Sequence, residues 1–227
     1  MGTEEHIATN MVTPPMRTDA RLFTLAQWLS PSFPIGAFAF SHGIEQAIKS
    51  GWITDADSLQ NWLEDCLEFG SVRSDAILLR LAYSTEDIKS LDEEARAFAA
   101  SRERLFESER QGVAFVKTVN AVWGLDLTET VLPVAVGRAV RMADLDLEQA
   151  VLLYLQSFLS NLMSASIRLM PLGQTDGQRV LFQLQDAAVD VATDTQNATI
   201  EDMFSNAFLS DITSMQHETL EPRLFQS

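Results

Sequence analysis

At 227 residues and 46% hydrophobic side chains, the chain is long enough to bury the core of one ordinary domain, or of two small ones. Its 32 acidic and 16 basic residues give a formal net charge of −16, which argues against binding to nucleic acids or anionic membranes and suits a basic partner surface. Cys66 is the only cysteine, so an intramolecular disulfide and a cysteine-based zinc site are excluded.

Apolar residues recur at helical spacing along the chain, and glycine (10) and proline (7) are sparse. We therefore predict an all-α fold, a single-domain helical bundle of about nine or ten helices around a central apolar helix at about 147–170. Residues 1–18 are predicted to be a flexible N-terminal arm, 19–213 the helical domain and 214–227 a C-terminal tail. No basic stretch followed by an apolar one opens the sequence, so we expect no secretory signal and a cytoplasmic location.

The first predicted helix spans about 20–30 and ends before Pro31, because the residue before a proline is pushed out of the helical region. The next stretch, residues 30–40, reads SPSFPIGAFAF, and its prolines and glycine predict an irregular loop. Its aromatic side chains have two interpretations. They either pin the loop onto the core or form an exposed apolar patch for a partner.

A second predicted helix begins near Ser41 and ends at Gly51, a residue suited to the position after a helix. His42 and Glu45 are three residues apart and share a face of this helix. Two such groups are too few for a metal or acid–base site, so we predict a solvated pair. Cys66 falls at an apolar position of the third predicted helix and is interpreted as a core thiol.

Two further helices are predicted at about 87–101 and 102–123. The second carries Glu103 and Glu107, an i,i+4 carboxylate pair of the kind from which helical dimetal sites are built. Those sites normally add a Glu-x-x-His motif from another helix, which this sequence lacks. We therefore predict that both carboxylates lie on a solvated face; the alternative is an acidic helical enzyme that uses them to bind a metal.

A short helix is predicted from Pro133 to about 143, with Gly137 allowing a close helix crossing. The uncharged run Ala150–Ile167 follows. A membrane span needs roughly 20 predominantly apolar residues, whereas glutamine, serine and asparagine interrupt this run. We therefore predict a buried core helix rather than a membrane span.

Pro171 ends the core helix, because proline lacks the backbone donor that would continue it. Thr175 and Gln178 have the spacing of a capping box, which predicts a second helix from about Asp176 that packs back on the first. A last short helix is predicted at about 199–212.

The C-terminal tail, residues 214–227, has no apolar periodicity of its own, yet it carries Leu224 and Phe225 close to its end. An apolar tail of this kind is either pinned onto its own domain or ordered by a partner. The sequence leaves both alternatives open.

The motifs of common catalytic sites are missing. The chain has no GxxxxGK[ST] phosphate loop, no GxGxxG after a strand, no HExxH and no GxSxG. The turn 173–177 has no lysine, and its Asp176 would repel phosphate, so we interpret it as a helix-to-helix turn. The residues alone indicate an acidic, all-helical binding protein with no catalytic, cofactor-binding or metal-binding residues.

Three ordered stretches together resemble the UreF family of urease accessory proteins. The N-terminal one reads LSPSFPIGAF at 29–38, followed by SHGIE at 41–45 and GWI at 51–53. The central one runs from Asn161 through RLMPLGQTDGQRVL to Leu181, and the C-terminal one comprises MQHE and RLFQS at the end of the chain. The resemblance covers about 22–227.

The resemblance implies a non-enzymatic, all-α protein that helps to insert nickel into apo-urease. Family members bind the accessory protein UreD, called UreH in some organisms, and recruit the GTPase UreG. GTP and nickel would be handled by these partners, and free members can form homodimers.

The resemblance also implies which residues bind partners. Phe38 matches an aromatic position that recruits the GTPase, and Arg223 matches the arginine of the C-terminal motif with the same role. The tail matches a segment that becomes ordered on binding UreD, with Leu224 and Phe225 as its apolar anchors. Gln226 stands where many members have a second arginine.

Overall fold

The computed structural model describes residues 20–227, and within this range the chain forms eleven α-helices and two short 3-10 helices, with no β-strand. The α-helices are α1 (Ala20–Trp28), α2 (Ile44–Lys49), α3 (Ala56–Phe69), α4 (Ser71–Ser84), α5 (Ile88–Ala97), α6 (Arg102–Trp123), α7 (Leu132–Met142), α8 (Leu147–Leu169), α9 (Gln174–Gln183), α10 (Gln185–Asp194) and α11 (Phe208–His217). The predicted all-α bundle is confirmed. The arm predicted at 1–18 lies outside the described residues.

The central helix of the bundle is α8, which contacts α1, α2, α4, α7, α9 and α10. Asp146 caps its start by accepting the backbone N–H of Gln149 (2.8 Å), and Arg168 lies in its last turn, where the helix dipole favours a cation. It is the one helix within residues 20–227 that is long and apolar enough to cross a bilayer, but half of its apolar stretch is buried inside the fold. The predicted core helix is confirmed.

Glycines set the closest approaches between helices. A Cβ on Gly137 of α7 would lie 2.1 Å from the carbonyl oxygen of Leu79 on α4, and one on Gly112 of α6 would lie 2.0 Å from the carbonyl oxygen of Thr130. Neither position has room for a methyl group. The close crossing predicted at Gly137 is confirmed.

The predicted capping box at the start of α9 is wrong. The helix begins at Gln174, before the predicted start at Asp176, so Thr175 lies inside it and cannot cap. Gly173 is the residue before the helix, and no side chain caps the free N–H groups there. Asp176 instead pairs with Arg179 along the helix surface (2.5 Å).

The last helix lies later in the chain than the 199–212 predicted. Thr199 and Asp202 close a capping box around a single 3-10 turn, Ile200–Asp202. Extended residues follow, and the N–H groups of Asn206 and Ala207 both donate to the carbonyl of Phe69 (2.7 and 3.1 Å). Because this crossing interrupts the helix, α11 starts only at Phe208 and continues past the predicted start of the tail.

Candidate protein-binding surface

The loop between α1 and α2 divides its phenylalanines between core and surface. Phe33 packs against Phe115 (ring centroids 5.6 Å apart) and Phe40 is buried beside Phe106. Phe38, between them, keeps 70% of its surface exposed. Both interpretations of the loop therefore hold, each for different residues.

The C-terminal tail lies directly against this loop. The N–H of Gln226 donates to the carbonyl of Ala39 (2.8 Å), and the N–H of Ser41 donates to the carbonyl of Ser227 (2.8 Å). These two bonds pair the end of the tail with residues 39–41. As a result, the loop and the tail, which are far apart in sequence, form one continuous surface.

Arg168, from the last turn of the core helix α8, joins the two segments. One guanidinium nitrogen donates to the carbonyl of Phe38 (3.0 Å), and the guanidinium lies 4.5 Å from the ring centroid of Phe225. A cation over an aromatic face is an attractive arrangement. Phe225 is 3% exposed beneath it, so this tail residue belongs to the core of the protein's own fold in this conformation.

Glu45 anchors the tail to α2. Its carboxylate oxygens accept the backbone N–H of Leu224 (2.8 Å) and of Phe225 (2.9 Å). The solvated pair predicted for His42 and Glu45 is wrong, because both side chains are buried. The covering segment comes from the far end of the chain, which the local pattern of α2 cannot reveal.

Glu103 on α6 binds the tail from the other side. One carboxylate oxygen accepts a hydrogen bond from Arg223 (2.5 Å), and the other lies 2.8 Å from Nδ1 of His217. The other ring nitrogen of His217 is 3.3 Å from Glu45, so this fully buried imidazole bridges two carboxylates. The solvated face predicted for Glu103 and Glu107 is also wrong, because α11 and the tail cover both side chains.

Glu107 organises a second buried cluster, one helical turn along α6. It accepts hydrogen bonds from Arg104, from Ser227 Oγ (2.9 Å) and from Gln111 (3.0 Å), and its carboxylate is 3.4 Å from His42 Nδ1. Burial opposes its ionisation, but Arg104 and His42 outweigh burial and lower the pKa of Glu107 to about 2. Burial, together with Arg104, lowers the pKa of His42 to about 4.

A cavity of about 60 Å³ adjoins this cluster, between the α1–α2 loop and helices α4, α6 and α8. Its lining includes His42, Arg104 and Glu107 from this cluster, together with Asp75 and Tyr154. The Tyr154 hydroxyl donates to Asp75 (2.9 Å). Burial raises the pKa of Asp75 to about 6, so this carboxyl is partly protonated at the lower end of the physiological range.

The carboxylate oxygens of Glu45, Glu103 and Glu107 are occupied by hydrogen-bond donors of the protein itself. Arg223 pairs with Glu103, and Arg104 pairs with Glu107. Within residues 20–227, no three or more His, Cys, Asp or Glu side chains are grouped so that they could hold a metal ion. Cys66 is buried, its thiol 3.6 Å from Ser210 Oγ, and burial raises its pKa to about 12, as expected for a core thiol.

Helix α11 has its polar face inside and an apolar face outside. Thr213, Ser214 and His217 are buried, and Ser214 is 2.6 Å from the hydroxyl of Ser101. The outward residues recur at helical spacing and are all exposed: Phe208, Leu209, Ile212 and Met215. The sequence shows this apolar spacing but does not reveal the surface, because the same spacing is typical of a core face. Contiguous exposed apolar side chains mark interaction sites in soluble proteins.

The structure thus separates the four predicted partner-binding residues. Phe38 and Leu224 (71% exposed) project from adjoining segments, and Arg223 has 42% of its side chain exposed while bonded to Glu103. Phe225 alone is covered. This geometry does not test the role of the four residues in binding, which stays a prediction.

The chain is thus an all-helical protein whose buried charged groups hold its own tail next to exposed apolar residues, and exposed apolar patches of this kind are typical of proteins that bind other proteins. A sequence model of the UreF family matches residues 53–185. The urease accessory protein UreF of Roseobacter denitrificans is 48% identical over 214 residues, which is 93% of this chain and 96% of that protein. The UreF proteins of Cereibacter sphaeroides (45% over 208 residues, 92% and 99%) and Ruegeria pomeroyi (40% over 220 residues, 96% and 100%) are similarly close. The chain belongs to the UreF family of urease accessory proteins, and the resemblance seen in the sequence is confirmed.

Proposed function

We propose that this chain is a non-catalytic scaffold of urease maturation in the cytoplasm. It binds UreD (UreH), recruits the GTPase UreG and so allows nickel to be inserted into apo-urease. GTP and nickel are handled by the partners, and the chain itself uses no cofactor. The observation that carries the proposal is the pairing of the tail with residues 39–41, which brings Phe38, Arg223 and Leu224 onto one surface.

The proposal assigns two neighbouring surfaces to two partners. Phe38 and Arg223 recruit UreG, with an exposed aromatic ring and a guanidinium of the kind that dominate protein interfaces. The tail and the apolar face of α11 bind UreD. Continuity supports this second assignment, because α11 includes the first residues of the tail. Contact between Phe225 and a partner would require the tail to shift from its docked position.

Charge gives a reason for hetero-association. With a formal net charge of −16, the chain is attracted to basic partner surfaces, and the attraction speeds their encounter. Self-association must overcome the repulsion between two such chains. The homodimer that the family resemblance implies therefore needs apolar burial to hold it. Light scattering at low and high salt tests this, because salt screens the repulsion and should raise the fraction of dimer.

Co-purification tests the proposal. The chain is expressed with UreD and UreG, and each partner retained on a tagged chain is quantified. We expect Phe38→Ala and Arg223→Ala to lose UreG while keeping UreD and the wild-type melting temperature. Phe182→Ala is the matched control, because Phe182 is equally exposed (70%) but lies on α9. Wild-type chain that retains neither partner, or variants that retain UreG fully, would overturn the proposal.

The second candidate is a metal-dependent enzyme built on Glu103 and Glu107. The arginines bonded to both carboxylates argue against it, because they occupy the oxygens that would bind the ion. Metal analysis of the purified chain decides between the two. A tightly bound stoichiometric metal together with hydrolytic activity would favour the enzyme.

A further inference from the structure

Most of the polar partners of one buried carboxylate lie at the end of the chain. Glu45 accepts the N–H groups of Leu224 and Phe225 and lies 3.3 Å from Nε2 of His217. Its other hydrogen-bonding neighbour is Ser41 on its own segment, whose hydroxyl contacts the Glu45 backbone rather than the carboxylate. The carboxylate of Glu45 therefore makes its polar contacts with the C-terminal segment.

We infer that Glu45 is a positioning residue that fixes the tail on the fold and so sets the orientation in which Arg223 and Leu224 meet a partner protein. The inference rests on the proposed function, because it concerns the same surface. The local pattern of α2 gives Glu45 no such role.

The position of the two bonded amides supports this role. Leu224 and Phe225 directly follow Arg223, and the two N–H groups bond to different oxygens of one carboxylate, Oε1 and Oε2. Such a two-point contact fixes the direction of the backbone as well as its place. The Leu224 side chain is turned to solvent and that of Phe225 to the core. The backbone bends at both residues, which lets two successive N–H groups point at one carboxylate.

The neighbouring contacts show what Glu45 adds. Arg223 is also held by Glu103, and the end of the tail by the pairing of Gln226 with Ala39. These contacts keep the tail nearby when Glu45 is changed. Losing the Glu45 carboxylate should therefore loosen the backbone at 224–225 without releasing the whole tail or unfolding the bundle.

Hydrogen exchange of the intact chain tests the inference directly. Glu45→Gln has nearly the same shape but replaces one acceptor oxygen with an NH₂ group, which cannot accept the second amide. We expect the amides of Leu224 and Phe225 to exchange about tenfold faster, while the amides of α8 keep their protection. Affinity for the UreD–UreG pair should fall by about tenfold. Glu93→Gln, on α5, is the control for the change in charge, and it should alter neither.

A covalent tether distinguishes positioning from a general structural role. The backbones of Ala39 and Gln226 are in hydrogen-bond contact (N to O, 2.8 Å), so Ala39→Cys with Gln226→Cys is the pair chosen to tether the tail without Glu45, and loss of free thiol on oxidation must first show that the disulfide has closed. Cys66 will not compete, since it is buried and its thiol pKa is raised to about 12. We expect the oxidised tether to restore partner affinity to Glu45→Gln, and reduction to abolish the rescue.

Each outcome decides the inference. Unchanged amide exchange at 224–225 in Glu45→Gln would overturn the inference. So would an oxidised tether that restores amide protection there but leaves the affinity for UreD and UreG low. Should Glu45→Gln fail to fold, refolding in the tethered background would support the inference, and failure to refold would overturn it. If the wild-type chain binds neither UreD nor UreG, the proposed function fails, whereas the exchange measurement still decides whether Glu45 holds the tail.

Discussion

The core helix α8 and the C-terminal tail are both fixed to the fold, but by opposite means. The buried residues of α8 are mostly apolar. Leu155, Leu159 and Leu162 are fully covered, and burying each side chain stabilises the fold by about 2 kcal/mol. The tail has only Leu220 and Phe225 as buried apolar residues and is held mainly by the buried carboxylates Glu45 and Glu103. Desolvation offsets much of the gain from such charged contacts. Helix α8 therefore supplies stability, while the polar contacts of the tail fix its orientation at a small net gain in stability.

The largest effect is expected where the helical body has no room to adjust. In Gly137→Ala the new methyl group would sit 2.1 Å from the Leu79 carbonyl oxygen, so α4 and α7 must move apart. We predict a loss of about 3 kcal/mol in the free energy of unfolding, measured by urea denaturation. Gly173→Ala is the control, because its Cβ would meet only the flexible side chain of Asp176. A loss below about 1 kcal/mol would show that the crossing is loosely packed.

A buried charge inside the body should cost stability, in contrast to the paired charges under the tail. The pKa of Asp75 is raised by burial from 3.8 to about 6, so the native state binds this proton more tightly than the unfolded chain does. Stability from Asp75 is therefore lost as pH rises from about 4 to 6.

The substitution Asp75→Asn tests the direction of this pH dependence. We predict that the variant is more stable than wild type by about 2 kcal/mol at pH 7.5 and equal to it at pH 4, because Asn keeps an acceptor for Tyr154 without the charge. Urea denaturation at both values measures the difference, and the shared titration of His42 and Glu107 cancels. Asp190→Asn, at an exposed site on α10, should show no pH-dependent difference. A variant less stable at pH 7.5 would contradict the assignment.

Removing the tail should affect stability less than its many hydrogen bonds to the fold suggest. Deleting residues 219–227 leaves Glu45, Glu103 and Glu107 open to water, which replaces their missing donors. We predict a drop of only about 1–2 kcal/mol by thermal unfolding and complete loss of UreD and UreG in co-purification. A drop above about 4 kcal/mol would instead show that the tail closes the core and is not mainly an interface.

Local patterns in the sequence were sufficient for the helical body. The apolar spacing and uncharged run of α8 predict its burial, and Gly137 predicts the close crossing. Both follow from interactions within a few residues or from the general rule that apolar stripes are buried. Other helix boundaries were not predicted. The start of α11, for example, depends on backbone hydrogen bonds to Phe69, a residue far away in the sequence.

The candidate site was much less predictable. Glu45, Glu103 and His217 look like solvent-exposed residues because charged residues usually are. The first two are buried only because the tail, more than a hundred residues away in sequence, covers them. The family motifs pointed to Phe38 and Arg223, yet the physical link between those motifs, through Glu45 and Arg168, becomes visible only when the chain is folded.

Arg168 joins the core helix to the tail, so changing it should have the smallest effect on stability and a clear effect on binding. It extends from the end of α8 to the Phe38 carbonyl and the Phe225 ring. We predict that Arg168→Met keeps the apolar stem over Phe225, costs under about 1 kcal/mol, and weakens UreG retention because the Phe38 backbone is no longer held.

Arg168→Lys should recover part of the binding, since it keeps the charge but lacks the planar group that stacks on the ring while donating to the carbonyl. Arg179→Met, an exposed arginine on α9 paired with Asp176, controls for the loss of a cation. Full UreG retention by Arg168→Met would mean that the loop holds Phe38 without help from the core helix. A loss equal to that of Arg179→Met would reduce the role of Arg168 to its charge. Loss of UreG in Arg168→Met but not in Arg179→Met would show that the core helix α8, through Arg168, sets the position of the surface around Phe38.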